Sequence, residues 1–337
     1  MILHPGVLAL VLGSIFVFLM TLFAAAVGGV ILRRWDLDSS SAYQLSLERR
    51  TFLISTVMNY ALGFQALSLF LFLYVVEDIH QLFVGAMCAT GSLNANPTGW
   101  YALASKIGAF FCSGIWIALN SVDQKAEDYP LIRLKYRLLF LIVPLMALDL
   151  WLLIDYFMAL DPDIITSCCG SLFSESGKGV GSDLAALPVK TSMIIFYSTA
   201  GLFFLSGSGS LYAKNGWLRY AFSAAAVVFF FSSLAAIVSF VSIYVYELPT
   251  HHCPFDLIQQ GYHFIGYPLY ISLFGAVFFG ILPGCFQPLK RKPSLQGIIA
   301  GSERRWLFQA LVWGGAFVLL TTWSVISSNL IYFPHFR

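Results

Sequence analysis

The amino-acid sequence predicts an all-α polytopic membrane protein with about eight transmembrane helices. The first observation is composition, because 58% of the 337 residues are hydrophobic and only 11% are charged, less than half of the charged share of a typical soluble domain. The second is that apolar runs long enough to cross about 30 Å of hydrocarbon recur along the whole chain. The third is that basic residues gather between alternate apolar runs, the pattern that orients helices in a bilayer.

The apolar runs, taken in order, predict eight helices that leave no room for a separate soluble domain. Their expected ranges are 7–32, 51–76, 99–121, 138–160, 191–213, 217–246, 264–286 and 306–331. We therefore expect residues 1–337 to form a single integral membrane domain. The first helix is expected to be retained rather than cleaved as a signal peptide. Residues 1–6 carry no basic side chain, and Arg33 and Arg34 follow the apolar run instead.

The distribution of lysine and arginine predicts an N-out, C-out topology. The inner connections are then 33–50, 122–137, 214–219 and 287–305, and they hold 15 of the 19 basic residues. Basic residues in short loops resist translocation, so this bias sets the orientation. The outer face receives the connections 77–98, 161–190 and 247–263. We expect the bacterial cytoplasmic membrane, with these three connections facing the periplasm or the exterior.

Two short patterns, half a chain apart, indicate a four-plus-four internal repeat. Glu77 ends the second predicted helix in the pattern Tyr-Val-Val-Glu, and Glu247 ends the sixth in the pattern Tyr-Val-Tyr-Glu. Each is followed by an outer cysteine, Cys88 or Cys253, and by a glycine–aromatic pair that opens the next helix. The halves would be about 1–170 and 171–337, as in transporters with parallel repeats. The alternative is a chance match within a biased composition.

Imidazole and thiol groups are concentrated in the outer connections. All six histidines fall on that side of the membrane, and four of the six cysteines do. They are His4, His80, His251, His252, His263 and His335, with Cys88, Cys168, Cys169 and Cys253. These side chains bind soft metals, ligate haem and exchange disulfides, so we expect a site on this face. Cys112 and Cys285 lie within helices, where a thiol behaves as a small apolar group.

Metal or haem binding is the first interpretation of this pattern. Thiolate and imidazole ligands suit a thiophilic ion such as copper. The candidate metal ligands are Cys88, Cys168, Cys169, Cys253, His251 and His252. The candidates for holding haem are His80, His252 and His263. No paired CxxC motif and no HExxH motif is present in the sequence, so spacing alone does not define a ligand set.

Disulfide chemistry gives two further interpretations. Structural disulfides would join Cys168 and Cys169 to Cys88 and Cys253, because a bond between adjacent cysteines strains the backbone. Alternatively, Cys168, Cys169 and Cys253 would be the catalytic cysteines of thiol–disulfide exchange. The run Cys253-Pro-Phe-Asp-Leu-Ile, followed by Gly266-Tyr-Pro-Leu, resembles membrane thiol oxidoreductases related to vitamin K epoxide reductases. It carries an aspartate where their second cysteine would stand.

Three charged residues fall inside the predicted helices, where charge is costly and usually faces the protein interior. Lys106 lies about two turns from the outer end of the third helix, and Asp155 a little more than one turn from that of the fourth. We therefore expect an ion pair between them, either structural or part of a proton or ion relay. Asp149 lies deeper, and Asn59 and Gln65 of the second helix are its candidate partners.

Together these features predict a membrane protein whose outer-face Cys/His site handles a thiophilic metal such as copper, or haem, in transport, delivery or assembly. One alternative is a thiol–disulfide or quinone-linked oxidoreductase. Another is a non-catalytic subunit of a larger membrane complex with disulfide-braced outer loops. Expected partners are the lipid bilayer and other membrane or periplasmic subunits, and the net charge of +2 does not indicate nucleic acid. The sequence holds no GxxxxGK[ST] loop, so ATP-driven activity would need another chain.

Overall fold

The computed structural model describes residues 3–36, 41–161, 180–213 and 215–330. Within these residues every regular element is helical, and eight helices are long and apolar enough to cross a membrane. They are α1 (Pro5–Arg34), α2 (Ala42–Asp78), α3 (Thr98–Asp123), α4 (Ile132–Met158), α5 (Val189–Tyr212), α6 (Gly216–Tyr246), α7 (Gly266–Phe286) and α8 (Pro293–Ser327). The predicted all-helical fold with eight such helices is confirmed, whereas the N-out, C-out orientation remains a prediction.

Three helices begin well before the apolar run that predicted them. α2 begins at residue 42 rather than 51, α4 at 132 rather than 138, and α8 at 293 rather than 306. An apolar run marks only the part of a helix that matches hydrocarbon, and polar turns can continue the helix beyond it. The Ser41 side chain caps α2 by accepting from the Gln44 backbone N–H at 3.2 Å. The predicted connection 287–305 therefore shrinks to the short 3-10 helix Gln287–Arg291 and the residue after it.

The chain forms two compact units, the first comprising Met1–Ile79, Ser92–Ile164 and Arg291–Ile299. Helix α1 packs on α2 and α4, and α3 packs on the same two helices, which gives a closed four-helix arrangement. Its buried core includes Leu62, Trp116 and Leu139.

The second unit comprises His80–Gly91, Ile165–Lys290 and Ala300–Arg337. Helix α6 packs on α5 and on α7. Helix α8 closes the ring, because Phe317 packs against Phe196 of α5 at 5.9 Å between ring centroids and Trp313 lies against Gly275 of α7. The cyclic order of contacts is the same as in the first unit. That order is shared by any up-and-down bundle of four helices, so the internal repeat remains a prediction.

The segment that follows α2 belongs to the second unit rather than the first. Residues His80–Gly91 begin within the 3-10 helix Ile79–Leu82 and end inside the short helix Ala89–Asn94. The same unit contains the connection between α6 and α7, in which Glu247 ends α6 in a left-handed conformation. Two connections that are far apart in sequence therefore lie within one compact unit.

Candidate functional site

Two cysteines and one aspartate of the second unit meet in a buried group, which we call the Cys–Cys–Asp cluster. The Sγ atoms of Cys88 and Cys253 lie 3.5 Å apart. One carboxylate oxygen of Asp256 joins them, so that the three ligand atoms all lie within 4.8 Å of one another. Both cysteines are 0% exposed and Asp256 is 7% exposed. Among the described residues, this is the group of three side chains with the composition and spacing to hold a metal ion.

Contacts between the two connections hold the cysteines together. Cys88 stands just before the short helix Ala89–Asn94, and the Thr90 hydroxyl of that helix lies 3.3 Å from the Cys253 sulfur. The Gln259 side-chain amide donates to the Met87 carbonyl at 2.7 Å, next to the first cysteine. The sulfur–sulfur distance of 3.5 Å is much longer than the S–S bond of about 2.05 Å, so the two thiols touch without being bonded to each other.

Asp256 is oriented by the histidine five residues before it. It opens the 3-10 helix Asp256–Ile258, and its Oδ2 atom lies 2.5 Å from Nε2 of His251. Its other oxygen, Oδ1, is buried and has no hydrogen-bond partner among the described residues. An unpartnered carboxylate oxygen is costly to bury. The imidazole therefore fixes one side of the carboxylate and leaves the other side available to a ligand.

Tyrosine side chains fix the backbone around Cys253. The Tyr246 hydroxyl, at the end of α6, donates to the Cys253 carbonyl at 2.5 Å. The Tyr270 hydroxyl of α7 donates to the Pro254 carbonyl at 2.6 Å. The Tyr246 ring also packs against the His251 ring, with 4.8 Å between centroids. Because both neighbouring helices hold this turn, the cysteine sulfur has a defined position.

Burial and mutual contact set the protonation of the cluster. Burial raises the pKa of Asp256, and the hydrogen bond from His251 opposes part of that rise. A negative charge on Cys88 raises the pKa of Asp256 further. The hydrogen bond to Asp256 raises the pKa of His251. Ionising more than one acidic group in this buried site is therefore unfavourable. A bound cation would replace the protons and stabilise the ionised groups.

His252 points elsewhere, although it is adjacent to both His251 and Cys253. It is 3% exposed, and its Nδ1 atom lies 3.0 Å from the carbonyl oxygen of Val238. A carbonyl only accepts hydrogen bonds, so Nδ1 is the donor of this contact. That Nε2 atom is buried without a hydrogen-bond partner among the described residues. Val238 belongs to the π-helical turn Ile237–Val241, a distortion of α6 that is frequent near functional sites.

The structure brings together some of the predicted ligands and separates others. Cys88 and Cys253 meet, whereas His252 contacts the backbone of α6 and His251 reaches the cluster only through Asp256. Of the other two predicted haem-binding histidines, His80 is half-buried and His263 is exposed. Neither belongs to the cluster. Cys168, Cys169 and His335 lie outside the described residues.

Asp256 is the cluster residue that the sequence analysis did not select. Its signal was present, because Cys253-Pro-Phe-Asp places a carboxylate where a CxxC motif places its second thiol. A search for paired cysteines overlooks a mixed thiol–carboxylate pair. The second thiol comes instead from Cys88, and a separation of 165 residues hides that pairing from any local pattern.

The expected ion pair between Lys106 and Asp155 is wrong, because Lys106 pairs with Asp149 at 2.8 Å. Lys106 lies eight residues into α3, and Asp149 lies nine residues before the end of α4, depths of about 12 and 13 Å in these antiparallel helices. Asp155 is only three residues from that end. Gln65, a predicted partner of Asp149, donates to it at 2.8 Å, whereas Asn59 contacts Asn120.

A second buried ion pair was missed because its lysine was placed in a connection. Lys135 lies in α4 and contacts Asp123, the last residue of α3, at 3.0 Å. Its ammonium also donates to the Asn120 side chain at 2.9 Å. These two buried lysine–aspartate pairs therefore both join α3 to α4, and each is surrounded by amide or hydroxyl groups. This full set of partners is typical of a structural pair.

Comparison with known protein families, characterised proteins and solved structures finds no match to this chain.

Proposed function

We propose that this protein handles a thiophilic metal ion in a membrane, and that the Cys–Cys–Asp cluster binds the ion for transport, delivery or assembly. The observation that carries the proposal is the convergence of two thiols and a carboxylate within 4.8 Å, all buried. Apolar side chains would fill the same space without the free-energy cost of removing these polar groups from water. A bound ion offsets that cost because it pairs with all three ligands.

The surroundings of the cluster support the same conclusion. Ligating carboxylates are commonly hydrogen-bonded to an outer-shell group, and His251 supplies that contact to Asp256. The lysine and arginine distribution supports an outer-face position for the site, from which it would meet ions outside the cytoplasm. Haem remains a sequence-based prediction, since its three candidate histidines differ in burial and do not converge on one position. In the predicted parallel repeat, Cys88 and Cys253 are equivalent residues, so the cluster would take one cysteine from each half.

The test is metal analysis of full-length protein purified without reductant, compared among cysteine variants. We expect about one ion per chain in the wild type and a loss of at least ten-fold in Cys88→Ser and in Cys253→Ser. Cys112→Ser and Cys285→Ser are matched controls, because these cysteines lie within membrane-spanning helices and are not part of the cluster. Equal metal content in all five proteins would overturn the proposal.

A second candidate function is thiol–disulfide exchange, and the observation that favours it is the 3.5 Å contact between the two sulfurs. Oxidation of Cys88 and Cys253 would form one S–S bond and reduce an acceptor disulfide to two thiols, with two protons and two electrons transferred. This reaction predicts a Cys88–Cys253 disulfide that forms reversibly. Alkylation followed by mass spectrometry separates the candidates, because metal handling predicts two alkylatable thiols after the ion is chelated.

A further inference from the structure

We infer that the ion held by the Cys–Cys–Asp cluster is divalent and tetrahedral, of the Zn²⁺ class, rather than Cu(I). This inference rests on the proposed function and names the substrate class of the same site. It differs from the copper example that the sequence suggested, and it is argued from the sulfur–sulfur distance, the third ligand and the charge.

The distance between the sulfurs fits a tetrahedral angle. A metal at about 2.3 Å from each thiolate, with the sulfurs 3.5 Å apart, subtends an S–metal–S angle of about 100°. A tetrahedral site needs about 109°. The linear two-sulfur geometry common for Cu(I) would need the sulfurs roughly 4.6 Å apart with the same bond lengths. The cluster would have to open by about an ångström to reach that geometry, and the tyrosine-held turn resists such a movement.

The third ligand is a hard oxygen. Zn²⁺ is of intermediate softness and accepts Asp oxygen at about 2.0–2.2 Å together with cysteine sulfur. Cu(I) selects soft thiolate and thioether ligands and gains little from a carboxylate. Asp256 is nevertheless buried beside both sulfurs, with Oδ2 held by His251 and Oδ1 unpartnered. Cu(I) would gain little binding free energy from this buried oxygen, whereas a zinc-class ion would bind it as a ligand.

Charge balance points the same way. Two thiolates and one carboxylate bring three negative charges into a buried volume. A divalent ion cancels two of them, while Cu(I) cancels one and leaves twice the residual charge in a medium of low polarity. The three cluster side chains would fill three of the four positions of a tetrahedral site and leave the fourth open. Catalytic and exchangeable zinc sites keep such a position for water or for an incoming ligand.

The test uses Co²⁺ alone as a spectroscopic substitute, added to the full-length protein in detergent after chelation. We expect the intense visible absorption of tetrahedral Co²⁺ with a thiolate charge-transfer band, and displacement of both by one equivalent of Zn²⁺. We further expect Asp256→Asn to weaken Zn²⁺ binding at least ten-fold and to change Cu(I) binding less than three-fold. Asp155→Asn is the matched control, because this half-buried aspartate lies in α4 of the other unit.

A second variant guards against misfolding of Asp256→Asn. Asp256→Cys replaces the oxygen ligand with a third thiolate and is expected to retain Zn²⁺ and to strengthen the charge-transfer band. Weak octahedral Co²⁺ absorption, or Zn²⁺ affinity unchanged in Asp256→Asn, would overturn the inference. Tight Cu(I) binding that depends on Cys88 and Cys253, with no Zn²⁺ binding, would overturn the inference and leave the proposed function standing. Absence of any thiol-dependent metal binding would overturn both.

Discussion

At the scale of single residues, the chemistry of the cluster depends on how each ligand atom is held. The two sulfurs are set by the backbone contacts of Tyr246, Tyr270 and Gln259, and the carboxylate is set by His251. His251 is half-buried at the edge of the cluster, so it can orient Asp256 without itself being a ligand. Residues that act in this way tune affinity rather than create it.

The first prediction concerns this orienting contact. Replacement His251→Phe keeps a ring against Tyr246 but removes the hydrogen bond to Asp256. We expect metal affinity to fall about 10–100-fold, the usual effect of losing an outer-shell partner, with the number of bound ions at saturation unchanged. His263→Phe, at an exposed position, is the control and should bind as the wild type does. Competition titration with a chelator of known affinity measures both, and equal affinities in the two variants would contradict the assigned role.

At the scale of elements, two features make testable contributions to helix packing: the Lys106–Asp149 ion pair between α3 and α4, and the π-helical turn of α6. The Lys106–Asp149 pair has a complete set of partners, because Ser105 donates to Asp149 at 2.9 Å in addition to Gln65. Removing one charge leaves the other buried and uncompensated, whereas removing both leaves no buried charge.

The second prediction follows from that asymmetry. Lys106→Met should destabilise the protein by about 3–5 kcal/mol, because the Asp149 carboxylate is left without its counter-ion. The double variant Lys106→Met/Asp149→Leu should recover most of the loss. Thermal unfolding in detergent measures the cycle. Additive losses in the double variant would show that the pair does not act as a unit, and Asp155→Asn should change stability little.

The third prediction concerns the π-helical turn Ile237–Val241. His252→Asn keeps a donor near the position of Nδ1 and can preserve the hydrogen bond to the Val238 carbonyl. His252→Ala removes this hydrogen bond, at a cost of about 0.5–1.5 kcal/mol. We expect the alanine variant alone to unfold at a lower temperature. If both variants were equally destabilised, the role of His252 would lie in its Nε2 atom instead.

At the scale of the whole molecule, the orientation is the prediction that decides where the cluster meets its ion. Met87 is 72% exposed beside Cys88 in a predicted outer connection, and the exposed Glu127 follows the end of α3 in a predicted inner connection. The fourth prediction is that an impermeant thiol reagent labels Met87→Cys, but not Glu127→Cys, in intact cells. The background carries serine at Cys168, Cys169 and Cys285. The reverse pattern of labelling would contradict this orientation and indicate the opposite one.

Composition and hydropathy predicted the membrane fold because helix formation in a bilayer depends on local properties of the chain. Apolar length alone located all eight helices, and it failed only at their polar ends, as at Ala42 and Pro293. The cluster was predicted in part, because Cys88 and Cys253 were candidate ligands. Their pairing with each other and with Asp256 depends on two connections folding together, which no local pattern encodes. The Lys106 partner was missed for a related reason, since the match in depth required the helix ends to be known.

The central claim is that a metal ion binds between the sulfurs of Cys88 and Cys253, and X-ray absorption spectroscopy at the zinc edge tests it most directly. The sample is full-length protein loaded with one equivalent of Zn²⁺. The spectrum should show two sulfur neighbours at about 2.3 Å with oxygen or nitrogen neighbours at about 2.0 Å, and Cys88→Ser should remove at least one sulfur. A shell of oxygen and nitrogen alone in the wild type would contradict the claim.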